Sequence, residues 1–167
     1  MNQLLDSLSY ESERGSLALQ SARYVMIRPT LFVDLQKSIE SQLGNDAGMI
    51  LAETAAVEGA SLAGLYRDAF GYPEDQVLGS VAFMLSESGW GAVSVEMMNL
   101  EGRELVFKVV ESPFAGCYGP SIQSVCYTLL GTFQGVAMTI FESQATGMEV
   151  QCEAKGDSCC RFVVSAT

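Results

Sequence analysis

The 167-residue chain contains no histidine. That removes the commonest general base and the commonest metal ligand, and with them proximal-histidine haem ligation and Ser-His-Asp hydrolysis. Basic residues are scarce: 9 Lys and Arg stand against 20 Asp and Glu, and the charge of −11 repels phosphate backbones and anionic membrane surfaces. No nucleic-acid partner is expected. There are four prolines, one tryptophan and no apolar run near the roughly 20 residues that a bilayer-spanning helix needs. The most apolar stretch, Val125 to Phe141, is broken by Thr128, Gly131, Thr132, Gln134 and Gly135, so no transmembrane segment is expected. The N-terminal Met1-Asn2-Gln3-Leu4-Leu5-Asp6 has neither the basic nor the apolar region of a secretory signal, and a cytoplasmic protein is the expectation.

What is present is enough apolar sequence, 49%, for one buried core, and five cysteines at 117, 126, 152, 159 and 160, all in the last third. In a reducing compartment such a cluster reads as metal ligands or catalytic thiols before disulfides. Residues 1–15 are polar and Ser/Glu-rich and read as a flexible N-terminal arm; residues 16–167 read as a single domain.

Ser16 to Arg28 reads as a strand or a pair of short ones, with Thr30 as a cap for a helix beyond it. Leu31, Leu35, Ile39 and Leu43, ending at Gly44, have the one-face spacing of an amphipathic helix. Asp46 to Phe70 reads as a second helix, in which Gly59 and Gly64 point to close packing against another backbone, since each costs about 1 kcal/mol relative to Ala. Pro73-Glu74-Asp75 opens a third, with Val77, Leu78, Val81, Phe83 and Leu85 inward and Gly89 as its stop. Ala92 to Met98 and Arg103 to Glu111 form a hairpin about residues 99–102. A Gly- and Cys-rich loop then leads to a long helix from Ser121 to about Glu142. A last hairpin, Gly147 to Ala154 and Cys159 to Ser165, turns at 155–158. Helices in the middle and hairpins at the end predict an α+β fold, an antiparallel sheet with helices packed on one face.

Cys152 and Cys160 lie four residues either side of Gly156. Facing each other across a hairpin, with Cβ atoms roughly 4.5 to 5.5 Å apart, they suit two thiolates on a tetrahedral zinc, and a disulfide is geometrically open as well. Cys126, on the preceding helix, and Glu149 complete four ligands, and a closed four-ligand site is structural rather than hydrolytic. Strict strand alternation opposes Glu149, because it puts 149 and 152 on opposite faces unless the strand is irregular. The packing alternative stays open: Cys126 also fits as a small core residue, and Cys152 and Cys160 fit as ligands or as packing. Cys117 and Cys159 read as structural or incidental.

Cys126 followed by Gly131 and Gly135, then Glu149-x-x-Cys152-x-x-x-Gly156-Asp157-x-x-Cys160, resembles the C-terminal signature of the 4-vinyl-reductase domain family. That family includes a protein of bacteriochlorophyll synthesis, sensor domains of phenol-responsive transcription activators, archaeal stand-alone proteins and, more distantly, vesicle-tethering subunits. The resemblance is strong over Gly116 to Val164 and looser over Ala22 to Gly89, where Arg23, Arg28-Pro29 and the Gly59 helix fall in place. It implies a structural zinc on Cys126, Glu149, Cys152 and Cys160, a zinc-tied C-terminal hairpin, and a homodimer formed through the N-terminal strand and first helices. It also implies an apolar cavity between sheet and helices, for which Phe83, Trp90, Phe107, Tyr127 and Phe133 are the candidate walls by helix or strand face. Each of the five also fits as plain core. The phenol sensors hold the ligand hydroxyl with a histidine and a tryptophan. This chain has only Trp90, which argues against phenol itself, and ending at Thr167 it lacks the ATPase and DNA-binding modules of those activators.

The expected function is a non-enzymatic, zinc-containing module that binds a hydrophobic or aromatic small molecule, a tetrapyrrole among the candidates, and signals to or assembles with a protein partner. The alternatives are a reductase or accessory factor of (bacterio)chlorophyll synthesis or photosystem assembly, and a dimeric scaffold. Direct reduction is disfavoured because no G-x-G-x-x-G opens a βα unit; Gly131 and Gly135 sit inside a helix at the wrong spacing.

Overall fold

The computed structural model describes residues 2–19 and 22–167. Met1 of the expected arm and Gln20 and Ser21 of the expected strand pair lie outside the described residues. The segment read as an arm contains α1 (Gln3–Ser7) and β1 (Leu8–Glu11). It is tied to the body: Asn2 Nδ2 donates to the Glu87 carbonyl at 2.8 Å, and the Leu4 N–H donates to Glu87 Oε2 at 3.3 Å. β1 pairs antiparallel with β2 (Ser16–Leu19), which pairs with β3 (Ala22–Tyr24), making a small N-terminal sheet.

Helices α2 (Pro29–Leu43), α3 (Ala47–Gly64) and α4 (Glu74–Glu87) come next, with one π-helical turn over Leu65–Ala69 after α3. The cap of α2 is Arg28 rather than Thr30. Pro29 occupies the first helical position, where its fixed φ is favourable and its missing N–H costs nothing. The second sheet holds β4 (Ala92–Asn99), β5 (Glu104–Val110), β6 (Ala145–Gln151) and β7 (Cys160–Ala166) in the order β4-β5-β7-β6, all antiparallel. Between β5 and β6 lie α5 (Pro113–Tyr118) and α6 (Tyr127–Phe141).

The α+β expectation holds. Leu105, Phe107 and Val109 of β5 and Cys160, Phe162 and Val164 of β7 alternate inward and are buried against α6 and α4, on one face of the sheet. The Phe133 ring of α6 stacks on Phe107 at 4.2 Å and lies 5.1 Å from Phe162. The opposite face carries polar groups, with Arg161 bonded to Glu96 at 2.7 Å.

α6 lies between this sheet and α3, and the α3–α6 contact is made backbone to backbone. A Cβ at Gly59 would overlap the Thr132 carbonyl oxygen; at Gly131, that of Ala52; at Gly135, that of Ala56. The expectation of close approach is therefore met at Gly59. Gly64 differs: a Cβ there meets only the Asp68 side chain, at 3.7 Å.

Three further expectations are corrected. The Gly/Cys-rich loop contains α5, started by Pro113 and capped by the Ser112 hydroxyl, which accepts the Ala115 N–H. The long helix begins at Tyr127 rather than Ser121, so Cys126 is its N-cap residue and not a position inside it. Phe83 is 48% exposed rather than inward, because α4 turns Val77, Leu78, Val81, Ala82 and Leu85 to the core.

Gly131→Ala is expected to destabilise the fold by about 3 kcal/mol or more, because backbone cannot yield to the new methyl. Gly64→Ala should instead be neutral or stabilise by up to about 1 kcal/mol. Denaturant unfolding of the two variants tests the contrast; equal costs would mean that the helices do not meet at Gly131.

Candidate metal centre and apolar cleft

Four side chains converge where α6, β6 and β7 meet. Cys126, Glu149, Cys152 and Cys160 bring one ligand atom each to within 4.8 Å of one another, the three cysteines buried and Glu149 nearly so. Cys126 Sγ lies 3.6 Å from Cys160 Sγ and 3.5 Å from the Ser112 hydroxyl. The N–H of Cys126 donates to Glu149 Oε2 at 2.9 Å, fixing the carboxylate at the start of α6, while Glu149 Oε1 is buried without a hydrogen-bond partner. A buried carboxylate oxygen with nothing to accept from, beside three sulfurs, fits a metal ion.

The strand geometry resolves the objection to Glu149. β6 pairs Glu149 with Phe162 and then Gln151 with Arg161, so a bulge at Val150 inserts one residue. The parity flips, and 149 and 152 share the inner face. The same bulge corrects the symmetric hairpin: Cys152 lies just past the end of β6, and Cys160 pairs with Val109 of β5 rather than facing Cys152. The connection is a 3₁₀ turn, Glu153–Lys155, ended by Gly156 at φ 95°, a left-handed conformation that suits glycine. Asp157 then accepts the Cys152 N–H at 2.8 Å, and the Glu153 N–H donates to Cys160 Sγ at 3.4 Å. Sequence reasoning misses Asp157, Ser112 and Glu153 as site residues. The Gly-Asp pair is the available signal for Asp157, whereas the contact of Ser112 with Cys126 is set by the fold.

Crowding shifts the proton affinities. Burial, reinforced by a hydrogen bond to Cys152, pushes the Glu149 carboxyl up to about 8, against the opposing N–H of Cys126. Hydrogen bonds to Cys152 and then Cys160 push the Cys126 thiol up, and the Cys152 thiol is pulled down by hydrogen bonds from Cys126 and Cys160. One sulfur thus carries the negative charge while its neighbours keep their protons, an order that a divalent cation would overturn by deprotonating them. Cys159 is buried outside the cluster, its thiol directed to Gln151 Oε1 at 3.7 Å, and Cys117 is exposed on α5.

The candidate cavity walls do not come together. Phe107 and Phe133 are fully buried and stacked on each other, filling the space between sheet and α6 where the resemblance implies a cavity, and Tyr127 packs over Gly48. The space lies elsewhere: a cleft of about 460 Å³ between the N-terminal sheet, the start of α2 and the end of α4. Of the five candidates only Trp90 lines it, its ring 5.3 Å from Phe114, which in turn meets Phe32 at 6.2 Å. Leu8, Tyr24 and Leu62 complete a wall drawn from segments far apart in sequence, which no local pattern reveals.

Residues 105–166 match the family model of the 4-vinyl-reductase (V-4-R) domain. They form a 4-vinyl-reductase domain. The resemblance seen in the sequence thus holds, and all four candidate ligands lie inside the matched segment. Among solved structures, the phenol-responsive sensory domain of the transcription activator PoxR with phenol is 18% identical, covering 98% of this chain and 87% of that one with a TM-score of 0.82. A vinyl-4-reductase family protein from Methanocaldococcus jannaschii is 15% identical, covers 89% and 85%, and has a TM-score of 0.62. A trafficking protein particle complex subunit 3 from Naegleria fowleri, covalently bound to palmitic acid, is 14% identical, covers 83% and 95%, and has a TM-score of 0.59. No curated protein matches the sequence. At these identities the likeness is one of fold. Among the described residues no helix is long and apolar enough to cross a membrane.

The raised Glu149 carboxyl sets opposite pH responses. Metal-free protein should lose stability as pH rises from about 4.5 to about 8, because folding favours the protonated carboxyl and that advantage disappears once both states ionise. Metal affinity should instead rise across the same range, since binding releases protons. Unfolding curves with and without chelator at several pH values test both signs; a metal-free chain that gains stability over this window would contradict the buried carboxyl.

Proposed function

We propose that this protein is a binding module in which a structural zinc braces the C-terminal hairpin and the N-terminal cleft receives an apolar small molecule. The observation that carries the reading is the cleft itself, about 460 Å³ with the aromatic rings of Phe32, Trp90 and Phe114 on its wall. That size suits a small organic ligand. The fold neighbour PoxR, a phenol-responsive sensory domain, supports sensing as the use of such a site. Three thiols and a carboxylate in a closed set favour zinc over harder cations such as Mg²⁺, and thiol ligands suit a reducing compartment such as the cytoplasm.

A homodimer belongs to the same reading. The apolar stripe of α2 faces outward, with Leu31, Leu35 and Leu43 exposed, and Val25, Met26 and Val57 are each about three-quarters exposed nearby in the chain or on α3. Such a surface supports self-association and a route by which occupancy passes to a partner. A tetrapyrrole is less well supported than a smaller ligand, because no Lys or Arg among the described residues lines the cleft to meet its carboxylates.

Metal analysis of reduced protein purified without chelator should find one zinc per chain. Cys152→Ser should abolish it and cost several kcal/mol of stability, while Cys159→Ser retains it. Sedimentation at micromolar concentration should give a dimer that Leu35→Asp converts to monomer. Protein without zinc under these conditions, or wild-type chain that sediments as a monomer, would refute the corresponding part of the reading.

A further inference from the structure

The cleft has apolar walls, but its formal charges are all of one sign. Glu58 and Glu87 line it, and no Lys or Arg does so among the described residues. Glu87 is also the last residue of α4, whose final turn carries no basic residue, and Ser88 and Gly89 beyond it line the same space. The negative end of the α4 dipole, equivalent to roughly half a charge, therefore adds to the carboxylate there.

Two helix N-termini also reach the cleft, and their positive ends need weighing. That of α5, at Pro113, is already answered by an acid: the Glu153 carboxylate accepts the N–H of Glu111 at 2.7 Å and of Ser112 at 2.8 Å. That of α2, at Pro29, offers roughly half a charge, which offsets the α4 terminus and no more. Two full carboxylates remain, on a chain of net charge −11. An anionic ligand would bring a third negative charge against apolar walls, at an unfavourable energy of about 4 kcal/mol for each like charge at 4 Å in a partly screened site. A cation would gain where the anion loses, and the faces of Trp90, Phe32 and Phe114 suit an ammonium group as well as an apolar body.

We infer that the cleft takes an amphipathic amine, an aromatic or aliphatic body bearing a protonated or quaternary nitrogen, with Glu87 and Glu58 as the groups that select its charge. The inference rests on the reading of this cleft as a binding site, and the test separates the two. Zinc-loaded protein is titrated at neutral pH by calorimetry with three probes of one shape: 2-naphthylmethylamine, 2-naphthylmethanol and 2-naphthoate. The amine is expected to bind on the order of tenfold more tightly than the alcohol, with the acid weakest. Glu87→Gln keeps the acceptor for the Leu4 N–H and should remove most of the amine's advantage without changing alcohol binding. Glu101→Gln, which removes the same charge from the β4–β5 turn, should leave the order intact. An acid or alcohol that binds as tightly as the amine overturns the selectivity and leaves the binding site standing, as does equal weakening by Glu87→Gln and Glu101→Gln. Failure of all three probes to bind overturns the site itself.

Discussion

Glu149 Oε1 is buried with no partner while three sulfurs crowd around the same point. Removing a carboxylate from water costs several kcal/mol unless something replaces the solvent, and three thiols do so poorly. The arrangement is nevertheless over-determined. The Cys126 N–H holds one carboxylate oxygen, Asp157 holds the backbone of Cys152, and the Glu153 N–H reaches Cys160 Sγ. Every one of these bonds organises the ligands and none satisfies Oε1. A cation at that point joins the start of α6 to both strands of the last hairpin, so the C-terminal half gains its rigidity from one centre.

The other end of α6 is held by a different device. Gly131 and Gly135 let α3 approach until the carbonyl oxygens of Ala52 and Ala56 occupy the space where side chains would be. The two glycines of the family signature therefore have no part in ligation. They admit a helix that braces α6 from behind while Phe133 locks it to Phe107 in front. Metal on one side and helix on the other leave α6 little freedom to tilt, consistent with an interior that is filled and a cleft displaced to the N-terminal layer.

The metal set is legible in the sequence because its members sit at fixed offsets within 35 residues, and because thiol chemistry leaves few alternatives once imidazole is absent. The bulge at Val150 is not legible: only the pairing of Gln151 with Arg161 shows that parity breaks there. The orientation of α2 is misread for a related reason. Its apolar spacing at 31, 35, 39 and 43 suggests a buried stripe, yet Gln36 is the residue that faces inward. Its amide donates to the Val125 carbonyl at 3.0 Å and to Glu40 at 2.9 Å, and Tyr118 donates to Glu40 at 2.7 Å. A buried amide with both partners supplied outweighs a leucine stripe that another surface can cover, and no periodicity carries that information. The cleft is hidden more deeply still, since its wall combines α1, α2, α4 and α5.

The Gln36 bond also relates the two sites physically. Val125, whose carbonyl it reaches, immediately precedes the ligand Cys126, and α2 lines the cleft at Pro29 and Phe32. Lys37 adds a bond to the Tyr118 carbonyl at 2.9 Å and lies over the Tyr118 ring, and burial together with the Glu40 bond pushes the Tyr118 phenol up to about 12. The phenol therefore stays protonated and keeps donating throughout the physiological range. The helix that borders the cleft is thus registered against backbone adjoining the metal centre by a hydrogen-bond network rather than by exposed ion pairs, and such a network holds its geometry with little sensitivity to salt. Any tilt of α2 on ligand entry must either carry the Val125–Cys126 backbone with it or break a buried amide bond at a cost of about 1–3 kcal/mol.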